Sequence, residues 1–228
     1  MAQAVISDQR LSSFLERNIE VMPRKTDKRV RLIEAAKILI HQQGFNLTTL
    51  ADIAQEADVP LGNVYYYFKT KEAIGEAVIE KRAAEYAEML ARLDEIQDPA
   101  SRLRAFVDTN VEELELIARY GCPVGGLNQE LGKQGGSLAD QAAKLLHDIL
   151  QWSEAQFRSL GFADRAEEYA LNLVSSIQGM HLLTHTFKDP KIAKRQTDTL
   201  LSWLEQTVGT KIAPVAFKKR ELETEEAY

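Results

Sequence analysis

The side chains best placed to do chemistry lie close together between residues 48 and 71. Asn63 carries an amide that both donates and accepts, so it can pair with a base edge in a DNA groove. Tyr65 and Tyr66 carry phenols and Lys71 an ammonium, all able to reach phosphate oxygens. Thr48 and Thr49 offer hydroxyls beside a helix start, where unpaired backbone N–H groups favour a phosphate. Leu61 and Gly62 open the helix that carries Asn63, and the missing side chain of Gly62 lets backbone approach a groove floor. These groups recognise a polyanion; none of them is a bond-breaking set. Tyr67 and Phe68 finish the aromatic run and are expected to pack inward. On one helix only about half of four consecutive aromatics can face a core, so at least one phenol should lie at the surface.

Elsewhere the chain offers little reactive machinery. His181 and His185 stand four apart, a spacing that can turn two imidazoles toward a metal. Leu182 replaces the glutamate of a His-Glu-x-x-His pattern and no third ligand follows, so no metal is expected and helix packing is the simpler role. There is no Walker loop, dinucleotide-binding glycine pattern or Gly-x-Ser-x-Gly elbow. Neither a cofactor nor a catalytic residue is expected, and the chain reads as no enzyme. Cys122 is the single cysteine, which excludes an intrachain disulfide and fits a reducing, cytoplasmic location. Two readings stay open for it: a thiol that senses oxidants or electrophiles, its pKa lowered by a helix N-terminus, or a small buried hydrophobe.

The elements that must position the first group are helical. Thr48–Ile74 predicts a short helix over LADIAQEA with Leu50, Ile53, Ala54 and Ala57 inward, a turn at Asp58-Val59-Pro60, and a second short helix from Leu61 to about Phe68. That is a helix-turn-helix, whose second helix enters the major groove. A helix capped by Asp27 and stopped at Gly44 precedes it, with Val30, Leu32, Ile33, Ala36, Leu39 and Ile40 as its apolar face. Residues 9–22 have helix-like apolar spacing, and an extra amphipathic helix and a loosely ordered arm both remain open. Downstream, helices are expected from Lys71 to about Ile96 (Ile74, Val78, Ala84, Met89, Leu90 and Leu93 on one side) and from Pro99 to about Tyr120. Others follow around Val124–Leu131, over Leu138–Leu160, from an Asp164 cap to Phe187, and from an Asp189 cap to Val208. No alternating strand pattern occurs, so the fold class is all-α.

The block GFNLTTLADIAQEADV followed by GNVYYYFKTKEAI resembles the TetR/AcrR family of one-component bacterial regulators. Gly62, Tyr65, Tyr67, Phe68, Lys71, Glu72 and Ile74 fall on the family pattern, while Pro60 and Leu61 depart from it where a Ser or Thr is frequent. The resemblance implies an N-terminal three-helix helix-turn-helix head and a C-terminal helical ligand-binding and dimerisation domain, about nine to ten helices in all. The corresponding divisions are an N-terminal extension (1–23), the head (24–71), the ligand-binding and dimerisation domain (72–210) and a charged tail (211–228). It further implies a homodimer that binds a palindromic operator in double-stranded DNA, a repressor released by a small, largely apolar effector. Lys71 resembles the family's phosphate-anchoring lysine. Dimer contacts would come from the last two long helices, through Tyr169, Leu173, Val174, Ile177, Met180, Leu183, Thr184, Leu200, Leu201, Trp203 and Leu204, with Gly179 allowing close approach. The segment GCPVGGLNQEL resembles one that borders the effector cavity in part of the family. Candidate lining residues are Phe106, Asn110, Tyr120, Cys122, Leu127, Trp152, Phe157, Gln178 and His181, each of which could equally be ordinary core. A repressor sensing through Cys122 is the first alternative. A helical enzyme or scaffold that keeps the head only as structure is the second.

Composition fits this division. The chain has 228 residues, 45% hydrophobic and 27% charged, enough for one or two globular domains. No apolar run approaches bilayer-spanning length, so no membrane partner is expected, and the first twenty residues lack the basic and apolar regions of a secretory signal. The net charge of −6 is unevenly spread: residues 24–71 carry eight Lys/Arg against five Asp/Glu, and residues 72–228 eighteen against twenty-six. Phosphate affinity depends on local cations, so a small basic head on an acidic body suits DNA.

Overall fold

The computed structural model describes residues 25–217, with side chains from Lys28 onward. The possible helix over 9–22, Arg24 of the basic cluster and the tail from residue 218 lie outside the described residues. Within them the chain forms ten α-helices and one 3-10 turn, with no strand.

Helix α1 (Lys25–Gln43) starts two residues before the expected Asp27 cap and ends at Gly44, whose φ of +89° suits glycine. In α2 (Leu50–Glu56) Thr49 is the N-cap, and it forms a reciprocal capping box with Asp52. Asp58, at φ +48°, turns the chain, and α3 (Leu61–Tyr67) follows Pro60. Thr70 caps α4 (Lys71–Asp94) by accepting from the Ala73 N–H at 3.1 Å. These four helices bury Leu32, Ala36, Ile53, Val64, Phe68, Ile74 and Val78 together. Two expected core positions face outward: Val30 is 49% exposed and Ala84 is exposed.

Asp98 caps α5 (Pro99–Thr109), which is shorter than expected. The Thr109 hydroxyl and the Asn110 side-chain amide both donate to the Phe106 carbonyl, at 2.8 and 2.7 Å, and this local competition ends the helix. A turn then leads to α6 (Leu114–Tyr120), and Gly121, at φ +83°, to α7 (Pro123–Gly132). Helix α8 (Ser137–Ser159) ends before Gly161. Where an Asp164 cap was expected, a 3-10 turn (Ala163–Arg165) leads into α9 (Ala166–Phe187). Asp189 caps α10 (Pro190–Val208) through the Lys191 N–H at 2.9 Å.

Hydrophobic packing does not divide at residue 71. One cluster joins the head to Val124, Leu127 and Leu131 of α7 and to Ala142 and Leu145 of α8. The other is built from the end of α4 with α5, α8, α9 and α10. Most side chains expected at a dimer interface belong to that second core: Leu173, Val174, Ile177, Met180, Thr184, Leu200 and Leu204 are buried within the chain itself. Tyr169, Leu201 and Trp203 are partly buried against it. Helical spacing marks two faces, and the inward one fills the chain's own core first. The apolar side chains left outside on α9 are Leu171, Leu182, Leu183 and Phe187.

Candidate nucleic-acid interface

The recognition-helix candidate α3 presents one wet face and one dry face. Val64 and Phe68 are buried, and Tyr67 is half-buried with its ring edge-on to Tyr66 at 5.0 Å. Leu61, Tyr65 and Tyr66 are 42%, 48% and 61% exposed. Asn63 is partly exposed, and a Cβ at Gly62 would meet nothing within 4 Å. The helix therefore offers Leu61, Gly62, Asn63, Tyr65 and Tyr66 to an outside surface, one turn from the N-terminal end that reads bases in this motif. Arg29 lies over the Phe68 ring at 5.4 Å, which places a second exposed cation beside this face.

The threonines do not behave alike. Thr48 is 1% exposed, and its hydroxyl donates to the Gly44 carbonyl at 2.8 Å while accepting from Gln43 at 3.3 Å. The expectation that its hydroxyl meets a phosphate is corrected: it ties off the turn after α1. Thr49 is exposed, and Asp52 engages both its hydroxyl (2.7 Å) and its backbone N–H (2.9 Å). Those two bonds hold the Asp52 carboxyl below the usual carboxylate range. Lys71 is partly exposed; its ammonium donates to the Asn46 carbonyl at 2.8 Å and sits over the Phe45 ring at 4.7 Å. The Phe45 ring in turn needs Gly75, since a Cβ there would come within 2.7 Å of it.

Asn46 is a junction with no signature in the residues around it. Its N–H donates to Glu130 of α7 at 2.7 Å, as does the N–H of Phe45. Its side-chain oxygen accepts from Gln134 at 2.6 Å. The loop that leads into the helix-turn-helix is thus held by a carboxylate from the body. A Cβ at Gly44 would lie 2.9 Å from the same carboxylate, so glycine is needed there for approach as well as for φ. His41 of α1 also reaches the body, donating from Nε2 to the Gly121 carbonyl at 2.8 Å.

The nine candidate lining residues separate into groups. Cys122, Gln178, His181 and the Asn110 carbonyl come together where α7 starts. Cys122 is the N-cap of α7, and its sulfur accepts from the Gly125 N–H at 3.3 Å. His181 is 3% exposed and donates from Nε2 to the Asn110 carbonyl at 3.1 Å, which leaves Nδ1 buried without a well-formed bond. Burial would raise the Cys122 thiol, but the adjoining His181 ring and the amides of Gly125 and Val124 outweigh it and bring its pKa below the ordinary value. A Cβ at Gly125 would come within 2.5 Å of the Gln178 side-chain oxygen, so this corner is tightly filled. The others lie elsewhere. Phe106 and Phe157 are core, packed on Trp152 at 5.4 Å and on Tyr169 at 5.4 Å. Leu127 belongs to the head-side core, and Tyr120 stacks edge-on with His41 at 5.7 Å. Trp152 alone of the nine lines a groove of about 440 Å³ between α4 and α8. His185 hydrogen-bonds the Ala118 carbonyl at 3.3 Å, and among the described residues no three potential metal ligands cluster. No described helix is long and apolar enough to cross a membrane.

Known proteins carry the same head. A sequence model of the bacterial regulatory proteins of the tetR family matches residues 32–78. Transcriptional regulator AcuR of Cereibacter sphaeroides is 34% identical over 122 residues, 53% of this chain and 54% of that protein. The HTH-type transcriptional repressor NemR of Escherichia coli is 37% identical over 67 residues, 29% of this chain and 34% of NemR. The chain thus spans about half or less of these relatives in the aligned regions. The fold likeness runs further: regulatory protein TetR from Rhodobacter sphaeroides superposes with a TM-score of 0.67 at 25% identity, covering 76% of this chain and 96% of that one. With a buried scaffold behind α3 and an exposed face on it, residues 32–78 form a DNA-binding head of the kind found in the bacterial tetR family of regulatory proteins, carried on a helical body that shares the fold of a solved TetR regulator.

Proposed function

We propose that the protein is a homodimeric, effector-responsive repressor that binds a palindromic operator and leaves it when a small, largely apolar molecule occupies the body. The observation that carries this reading is the Glu130 bridge. Helix α7 runs from the buried Cys122–His181 corner to the loop before the helix-turn-helix, about 12 Å over eight residues. A rigid element that touches both regions can bias two head positions, provided an effector favours one of them. In a dimer the two α3 helices would need a separation of about 34–36 Å to enter successive major grooves. The likeness to the transcriptional repressor NemR supports the sign of the regulation. Selection of bound fragments from genomic DNA, followed by gel shifts, tests the reading; no sequence-specific complex at low salt would end it.

Within the head we assign reading to Leu61–Tyr66 and anchoring to Thr49 and Lys71. Asn63→Ala should weaken the selected operator by about 1–3 kcal/mol and relax preference at one base pair. Lys71→Ala should weaken all sequences alike and lower the salt slope by about 1. Base preferences unchanged in Asn63→Ala would remove it from the reading set.

A second reading rests on Cys122, the N-cap of α7, lying against the His181 ring, which together with the Gly125 and Val124 amides lowers its thiol pKa. His181 would take the thiol proton, and the resulting thiolate would be open to electrophiles. N-ethylmaleimide should then release operator from the wild type and not from Cys122→Ser. Equal release from both proteins would reject a sensing role for this thiol.

A further inference from the structure

Arg29 occupies a core position with a charged side chain. It falls on the stripe of α1 that carries Leu32, Ile33, Ala36 and Ile40, three, four, seven and eleven residues on, all of them buried. Arg29 itself is exposed. Its guanidinium lies over the Phe68 ring, 5.4 Å from the centroid, where an apolar side chain would close the end of the head's core without a charge. A cation over a ring at an exposed site contributes little to stability, so packing alone gives no reason for an arginine here. Among the described residues Arg29 has no ion pair. Glu34, the next carboxylate toward the end of α1, is held by Lys37 at 2.6 Å and faces Lys81 at 3.5 Å. Arg31 differs: its Nη2 donates to the Asp58 carbonyl at 2.5 Å, so it braces the turn before α3. Of the two arginines by which α1 touches the helix-turn-helix, one is bound to backbone and the other presents its charge outward.

The place of that charge says what it meets. Phe68 lies three residues on from Tyr65 and seven from Leu61, so its ring marks one edge of the exposed face of α3. An α-helix with its side chains is about 10–12 Å across, and the major groove of B-DNA is about 12 Å wide. A helix that enters this groove fills it, and a group at the edge of the helix faces the groove wall, which is a row of phosphates. The guanidinium fork matches two phosphate oxygens. The other anchors stand at the opposite end of α1. Arg29 is fourteen residues, about 21 Å, from Gln43, and Lys71 and Thr49 gather at the loop beyond it.

We propose that Arg29 is a DNA-contact residue contributed by α1, binding a phosphate on the wall of the groove that α3 enters, with Phe68 as the platform that holds its guanidinium. This rests on the operator-binding reading and adds α1 to the surface made by Thr49, Lys71 and α3. A phosphate contact carries no base preference, so Arg29 supplies affinity and register and leaves sequence choice to α3.

Arg29→Met is the informative change, because a flexible thioether chain still covers the Phe68 ring while the charge is gone. Arg29→Gln repeats the test without the apolar tail. Operator affinity is measured over a range of salt concentrations. In both variants the slope of log K against log salt should flatten by about 0.9 for each bound head. Affinity at about 0.1 M salt should fall about eightfold per head, since a contact with that slope vanishes at about 1 M. Arg29→Lys, which keeps a cation over the ring, should keep the wild-type slope, and base preferences should be unchanged in all three. Ethylation of single phosphates locates the contact. In each half-site, one phosphate whose ethylation weakens the wild type should cease to matter in Arg29→Met, and it should differ from the one released by Lys71→Ala. A purely structural Arg29 would shift the melting temperature and leave slope and interference pattern as in the wild type; that result would overturn the proposal. So would equal slopes for Arg29→Lys and Arg29→Met. If Lys71→Ala flattens the slope and Arg29→Met does not, operator binding stands and only the α1 contact falls. If the wild type forms no sequence-specific complex, both fall.

Discussion

Replacing Leu182 and Phe187 together by aspartate is expected to give a folded monomer that loses at least about 100-fold in operator affinity. The expectation comes from where apolar surface is left on α9. Leu171 and Leu182 are eleven residues apart and share a helix face, with exposures of 58% and 52%. Leu183 and Phe187, exposed 48% and 65%, continue the patch round the helix. Nothing lies within 4 Å of a Cβ at Gly179 between them, so a second helix can approach closely there. Large exposed apolar residues grouped on one helix mark an interaction site, and a second copy of the same helix is the partner a palindrome requires. The fold should survive, because Leu173, Ile177 and Met180, opposite Leu171 and Leu182, carry the packing, and Phe187 is 65% exposed at the last residue of the helix. Surface substitutions of this kind change stability by only about 0.5 kcal/mol. One head binding one half-site lacks the avidity of two linked heads. Light scattering after gel filtration and gel shifts on the selected operator would be read together. A wild-type monomer, or a variant that remains dimeric, would remove α9 as the interface.

What could be read in the sequence follows from which forces are local. The helix starts were legible because caps and turns are written in adjacent residues: Thr49 before Leu50 in the helix-turn-helix, and in the body Asp98 with Pro99 and Asp189 with Pro190. The exposed phenols of Tyr65 and Tyr66 followed from geometry, since one helix cannot bury four successive aromatics. The break after Thr109 was hidden, because nothing in the apolar spacing shows that Thr109 and Asn110 turn back on the Phe106 carbonyl. Thr48 was misread for the same reason: a hydroxyl looks alike in sequence whether it meets solvent or the Gly44 carbonyl. The last two helices carry the same lesson on a larger scale. Periodicity identifies an apolar face on α9 but cannot say whether the chain's own α10 or a partner covers it. Glu130 was invisible altogether. It is one charged residue among many, and its meaning depends on partners 84 or more residues away.

Glu130→Gln should loosen the head from the body. The carboxylate accepts two backbone N–H bonds at 2.7 Å, from Phe45 and Asn46, and bonds to a charged acceptor contribute about 1.5–3 kcal/mol each. A carboxamide has one acceptor oxygen and an NH2 that repels the second amide, so at least one bond is lost with little change of shape. The loop then keeps Lys71 on the Asn46 carbonyl and loses its tie to α7. Amide exchange at Phe45 or Asn46 should quicken, urea unfolding should report a loss of about 1.5–3 kcal/mol, and operator affinity should fall by about tenfold, because the turn that delivers Thr49 to the DNA side is no longer fixed. The decisive measurement is the exchange. If both amides stay as protected as in the wild type, the Glu130 bridge does not restrain the loop, and the route from body to head must run instead through α4, where Arg82 meets the Lys37 carbonyl. If protection falls while any ligand-driven change in operator affinity shrinks toward nothing, α7 is the element whose position the two regions share, and a coupling of the usual 1–3 kcal/mol, roughly 5–150-fold, passes through one carboxylate.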